Sequence, residues 1–104
     1  MIKLIKEVEI LSSKFMITYD KTRDAGSFSW RESKIVIGIR SIKTDPSYTL
    51  SIISHEVMEI ILTGMGARFE SSRTADNYLF NFDHQTFENA IQLHTMTMLK
   101  FLKS

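Results

Sequence analysis

Residues 34–62 read KIVIGIRSIKTDPSYTLSIISHEVMEIIL, and the fold class turns on them. Lys34–Arg40 is a run of β-branched Ile and Val, which fit a pleated surface and predict a strand. Its unbroken apolar character predicts burial on both faces. A polar turn follows. Asp45 then offers a side chain that caps a helix, and Pro46 takes the first helical position, where a missing N–H costs nothing. That helix is predicted to run to about Leu62 and to stop at Gly64 and Gly66.

Outward from this core stretch, Phe15–Tyr19 (FMITY) and Ser27–Trp30 predict two further strands, with Phe28 and Trp30 on one face. Polar turns at Lys21–Gly26 and Arg31–Lys34 separate the three. Residues 2–13 place Ile2, Leu4, Ile5, Val8 and Leu11 at three- and four-residue intervals, the spacing of a short amphipathic helix. Residues 69–79 are polar and predict a loop, with a short strand near Tyr78–Phe80. Asp83 is an N-cap candidate for a last helix, and Phe82 before it can staple against Phe87. Along that helix Phe87, Ala90, Ile91, His94, Met98 and Phe101 are expected to share one buried stripe, ending near Leu102. The expected architecture is α+β: an N-terminal helix, a small three-stranded sheet, mixed or antiparallel, a central helix and a C-terminal helix. No repeat or linker divides residues 1–104, so a single domain is expected.

Composition narrows the function classes. The 104 residues are 43% hydrophobic and 24% charged, with seven Phe, three Tyr and one Trp, which is too apolar for disorder. No run approaches the ~20 apolar residues of a membrane span. Lys6, Glu7 and Glu9 interrupt the segment where a secretory signal would be apolar, so a cytoplasmic location is expected. The absence of Cys excludes disulfides, thiolate zinc sites and thiol nucleophiles. Residues 1–43 hold nine Lys and Arg against five Asp and Glu, and residues 44–104 hold four against seven. The helical half is therefore acidic, which suits a cation better than a phosphate. No nucleic-acid partner is expected.

The chemistry is concentrated in Ser54-His55-Glu56-Val57-Met58-Glu59. At about 100° per residue, Leu50, Ile53, Val57, Ile60 and Ile61 form the core face of the central helix. His55 and Glu59 are four residues apart and stack on another side, with Glu56 beside them. Ile52, Met58 and Leu62 make that second side partly apolar, so these groups enter low-dielectric surroundings. A buried carboxylate needs compensation. A divalent cation would supply it, since His and Glu at this spacing aim two ligand atoms at one point and leave the intervening Glu to hold a water. The alternative is that Arg23, Arg40 or another distant cation folds over and pairs with Glu56 or Glu59.

This segment resembles the His-Glu-x-x-His helix of the zincin metallopeptidases, in which two His hold zinc and the Glu is the general base. The two strands before it and the Pro-initiated helix match that context over roughly residues 15–100. Chain length and element order resemble the minigluzincins, single-domain zincin-like proteins of about a hundred residues. The resemblance implies a Zn²⁺-dependent peptidase with His55 as ligand and Glu56 as catalytic base, acting on a peptide or protein substrate. One departure stands out: Glu59 occupies the second His position. In gluzincins a later helix supplies a Glu. Here that helix begins with His84, so the implied ligand set is His55, Glu59 and His84, an exchange that keeps two nitrogens and one carboxylate. His84, one turn before the buried stripe, is expected to face inward.

Other roles stay open for several residues. His84 can instead cap the helix, Glu88 can replace it as ligand, and the loop acids Glu70 and Asp76 can swing in. His94 reads as a core histidine; His94 and Tyr78 are the candidates for an oxyanion donor. Backbone groups of Ile35–Ile39 are expected to pair with an extended substrate. The alternative function is an inactive or latent zincin-like metal-binding or interaction protein. Exposed strand edges would also allow a homodimer.

Overall fold

Val8 and Ile10 are buried while Glu7 and Glu9 face solvent, an alternation of two that makes the first element a strand. The computed structural model describes residues 1–70 and 78–103. Strand β1 (Glu7–Ile10) pairs antiparallel with β2 (Ser13–Asp20), setting Val8 opposite Phe15 and Ile10 opposite Ser13. This overturns the expected N-terminal helix. The link is the two-residue turn Leu11-Ser12, both residues in the left-handed region with φ of 51° and 66°. Such a turn matches the twist of a hairpin, but it usually carries Asn or Gly, so the sequence gives no warning of it.

Strand β3 (Gly26–Ser29) returns through a turn at Trp30–Ser33 to β4 (Lys34–Gly38), antiparallel to it. β4 lies parallel to β2, and the four-stranded mixed sheet has the order β1-β2-β4-β3. The sheet therefore has four strands, not three. Ile35, Ile37 and Ile39 are buried on one face while Val36 is half-buried on the other. The expected burial on both faces fails because both helices cover the same side.

Helix α1 (Pro46–Gly64) starts as the sequence predicts, with the Asp45 side chain accepting from the Tyr48 N–H. Its Ile53, Val57, Ile60 and Ile61 meet Phe15, Ile35 and Ile37 in the core. Trp30 packs edge-on against Phe15, ring centroids 5.0 Å apart, and its Nε1–H donates to the Ile60 carbonyl at 3.2 Å. Gly64 makes this closure possible. A Cβ there would lie 2.6 Å from Leu11 Cδ1 and 2.7 Å from Trp30 Cζ2.

Strands β5 (Arg68–Glu70) and β6 (Tyr78–Phe80) form a separate antiparallel pair, so a strand does lie at Tyr78–Phe80. Helix α2 (His84–Leu99) is capped by Asp83, which accepts from the Thr86 N–H, and Phe82 stacks on Phe87 with centroids 5.9 Å apart. The expected apolar stripe holds only in part. Ala90 and Phe101 are buried, but Phe87 and Ile91 are exposed, because α2 meets α1 through Ser54 and His94 and leaves its first turns outside. Among the described residues no helix is long and apolar enough to cross a membrane.

The chain between β2 and β3 is pinned by Asp24. Its carboxylate accepts from the Ser41 hydroxyl (2.6 Å), the Ser41 N–H (3.0 Å) and Arg40 Nε (3.3 Å). The Ser41 hydroxyl, helped by the Ser41 amide and Arg40, holds the Asp24 carboxyl below the usual carboxylate range against the opposing effect of desolvation. A folded-state pKa below the unfolded one means that stability is full above pH ~4 and falls as the native carboxylate takes up its proton. Acid titration of the melting temperature is therefore expected to show a decline below that pH, less steep in Asp24→Asn. Identical slopes for the two proteins would remove Asp24 as a contributor. Asp20 and Asp83, also held low by hydrogen bonds from Thr22 and Thr86, are expected to supply part of the remaining slope.

Candidate metal centre

Three donor-bearing side chains project from just over one turn of α1. His55 Nδ1 lies 2.8 Å from Glu56 Oε2, and His55 Nε2 lies 3.2 Å from Glu59 Oε2. One ligand atom from each of His55, Glu56 and Glu59 falls within 4.8 Å of the others. The helix produces this without help from elsewhere, since residues i and i+4 stack on one side and i+1 follows at about 100°. The three differ sharply in environment. His55 has 67% of its side chain exposed, against 6% for Glu56 and 15% for Glu59. Low-dielectric surroundings are expected for all three from the sequence. Glu56 and Glu59 have them, Glu56 because β3 folds over that side of the helix, but His55 faces solvent, which overturns the expectation for the imidazole.

A cleft of about 390 Å³ opens at this point, lined by Gly26, Ser51, Ile52, His55 and Glu56. Neither Gly26 nor Ser51 was nominated from sequence. The one available signal was a glycine opening a strand rich in aromatic and hydroxyl residues, a pattern that marks close approach of two backbones. β3 forms this wall of the cleft and, among the described residues, is the last strand of its sheet. β4 has β2 on one side and β3 on the other, so the Ile35–Ile39 segment has no edge to offer a substrate. The expectation of strand addition there is overturned. The edge beside the cleft belongs to β3.

Arg23 and Arg40, two of the cations considered as partners for the two acids, are engaged by Asp20 at 3.1 Å and Asp24 at 3.3 Å. His84 is at the first position of α2 with 83% of its side chain exposed, its Nε2 3.4 Å from Glu88 Oε1. The expectation that it faces inward is overturned, and it is not part of the three-residue donor group. The reason is positional: the first turn of α2 projects past the helix–helix contact, so its side chains meet water. Glu88, the alternative ligand, is the partner in that contact and is likewise exposed. His94 is half-buried with Nε2 2.8 Å from the Ser54 hydroxyl, the satisfied interior histidine that the sequence suggested. It packs on the α2 side of α1 and does not line the cleft. Asp76 lies outside the described residues, as do the side chains of Glu70 and Tyr78.

The donor chemistry suits Zn²⁺. Two ligands at 2.0–2.1 Å from a tetrahedral ion sit about 3.3 Å apart, and the His55 Nε2 to Glu59 Oε2 separation is 3.2 Å. A neutral imidazole has one N–H. Both ring nitrogens of His55 face a carboxylate, and with the proton on Nδ1, toward Glu56, the Nε2 lone pair would be left for a cation, the role a carboxylate plays behind a metal-binding histidine. A catalytic zinc takes three protein ligands, and the three candidate donors grouped among the described residues all come from α1.

Comparison of the chain with protein-family models, with curated proteins and with solved structures finds no match.

Proposed function

We propose that this protein is a small Zn²⁺-dependent peptidase of the cytoplasm, with His55 and Glu59 as ligands, His84 as the third, and Glu56 as general base. The observation that carries this is His55 and the buried Glu56 on the wall of a cleft beside β3, with Glu59 Oε2 3.2 Å from His55 Nε2, a zinc-ligand separation. When bound, the ion would polarise the scissile carbonyl and acidify a water. Glu56, at the cleft wall, takes the proton from the attacking water and returns it to the leaving amine. An extended substrate pairs along β3, where main-chain hydrogen bonds align it without regard to side chains. His84 must leave Glu88 to reach the ion, so zinc and Glu88 compete for one imidazole.

A second reading is favoured by the 2.8 Å contact between His55 and Glu56. If Glu56 only orients His55, the domain binds metal without hydrolysing anything, the latent zincin-like alternative.

Zn²⁺ titration by calorimetry tests the ligand set. One equivalent is expected to bind the wild type, and His55→Ala and Glu59→Ala each to lose more than the roughly 10–100-fold in affinity typical of an outer-shell change. His84→Ala binding Zn²⁺ as tightly as the wild type would remove His84 from the set. A wild type that takes up no metal would sink the proposal.

A further inference from the structure

Gly26 opens β3 opposite Ile37 of β4, and that backbone is extended; among the described glycines only Gly66 has a positive φ. Its conformation therefore does not call for glycine. In an extended strand an alanine is ordinarily the better residue, because glycine loses more chain entropy on folding and packs nothing. The space does call for it. A Cβ at position 26 would stand 2.7 Å from Glu56 Cγ, 3.0 Å from Glu56 Cδ and 3.0 Å from Ile52 Cγ2. The Glu56 side chain thus lies flat against the strand backbone, in the space a side chain at position 26 would fill.

We propose that Gly26 is a positioning residue for Glu56: its missing side chain is the seat that holds the Glu56 carboxylate at the cleft wall, 2.8 Å from His55 Nδ1. This rests on Glu56 acting as the base in the cleft. The strand is fixed at this point by the Gly38 N–H donating to the Ala25 carbonyl at 2.6 Å, and two residues upstream by the Asp24 bonds to Ser41. β3 therefore cannot retreat easily from an added methyl group. Glu56 must rotate instead, and Cγ and Cδ are the atoms that move. Displacing a general base by about 1 Å can lower turnover about 100-fold. Glu59 and the strand edge are left in place, while the contact of Glu56 with His55 Nδ1 is loosened, which costs zinc affinity no more than the roughly 10–100-fold of an outer-shell change.

Two measurements on the full chain test this. The first is hydrolysis of an unstructured peptide by zinc-loaded Gly26→Ala. The expected result is kcat down by about 100-fold, with KM and zinc stoichiometry unchanged; an unchanged kcat would overturn the positioning role, and a change in KM alone would make Gly26 a substrate contact. The second is independent of activity: thermal midpoints of Gly26→Ala, Glu56→Ala and the double variant. Gly26→Ala is expected to lower the midpoint of the wild type and to lower it much less, or raise it, once Glu56 is alanine, because the crowded atoms are gone. Equal losses in both backgrounds would show that Gly26 guards Ile52 or the strand, and the seat would be disproved. A Gly26→Ala chain that folds only alongside Glu56→Ala would support it. If the wild type cleaves no peptide, the peptidase reading fails while this cycle still decides what position 26 accommodates.

Discussion

Glu56→Gln is expected to lower peptide hydrolysis by about 10²–10⁴-fold, the usual worth of a positioned general base, with little change in KM. The amide keeps the shape of the side chain against Gly26 but cannot take a proton from water. The same substitution separates the two roles that the geometry allows Glu56. As a base, its loss leaves Zn²⁺ affinity near wild type. As a carboxylate that only orients His55 through the 2.8 Å contact, its loss weakens zinc about 10–100-fold, because the imidazole tautomer is no longer enforced. Cleavage rates equal to wild type would exclude Glu56 from the chemistry altogether. Burial sharpens the effect, since at 5% exposure Glu56 has little bulk water to stand in for it.

The largest stability change is expected at Phe15. Its ring is 0% exposed, belongs to the third residue of β2 opposite Val8, and lies edge-to-face with Trp30 at 5.0 Å. Phe15→Ala removes most of a buried ring and leaves a cavity between sheet and helix that β2, paired on both sides, cannot collapse to fill. A loss of about 3–5 kcal/mol follows, a large share of the roughly 5–15 kcal/mol that holds a domain of this kind together. Urea unfolding measures it directly as a lower midpoint at constant slope. A loss under about 1 kcal/mol would mean that the core beneath α1 repacks freely, contrary to a close-packed interior.

Zinc is also expected to couple to folding. A ligand held only by the native state raises stability in proportion to the logarithm of its saturation. On the proposed ligand set, His55 and Glu59 lie on one rigid turn and would be prepared before the ion arrives, whereas His84 sits 3.4 Å from Glu88 and would have to move to reach it.

The helices were legible because their boundaries are written in single residues. Asp45-Pro46 and Asp83 cap backbone N–H groups whatever surrounds them, and both caps are found where the sequence puts them. The His55–Glu59 pair was legible for the same reason, since 3.6 residues per turn place the two together in any helix, whereas the third donor beside them is Glu56 rather than the expected His84. β2, β3 and β4 followed from β-branched and aromatic runs. The first segment did not follow. Ile2, Ile5, Val8 and Leu11 suit a helix, Val8 and Ile10 suit a strand, and a short apolar run is ambiguous between them. Pairing with β2 decided it, a long-range interaction with no local mark.

What the chain settled by itself, then, is the set of things that depend on near neighbours: two capped helices, a strand-forming run, and a histidine and two acids on one turn. Only the assembled molecule decided what depends on distant partners. β3 folding over α1 buried Glu56 and made a cleft of it. The sheet order put β3, not β4, at the edge. The crossing of α2 over Ser54 left His84 in solvent, because a helix buries only the stretch that its neighbour reaches.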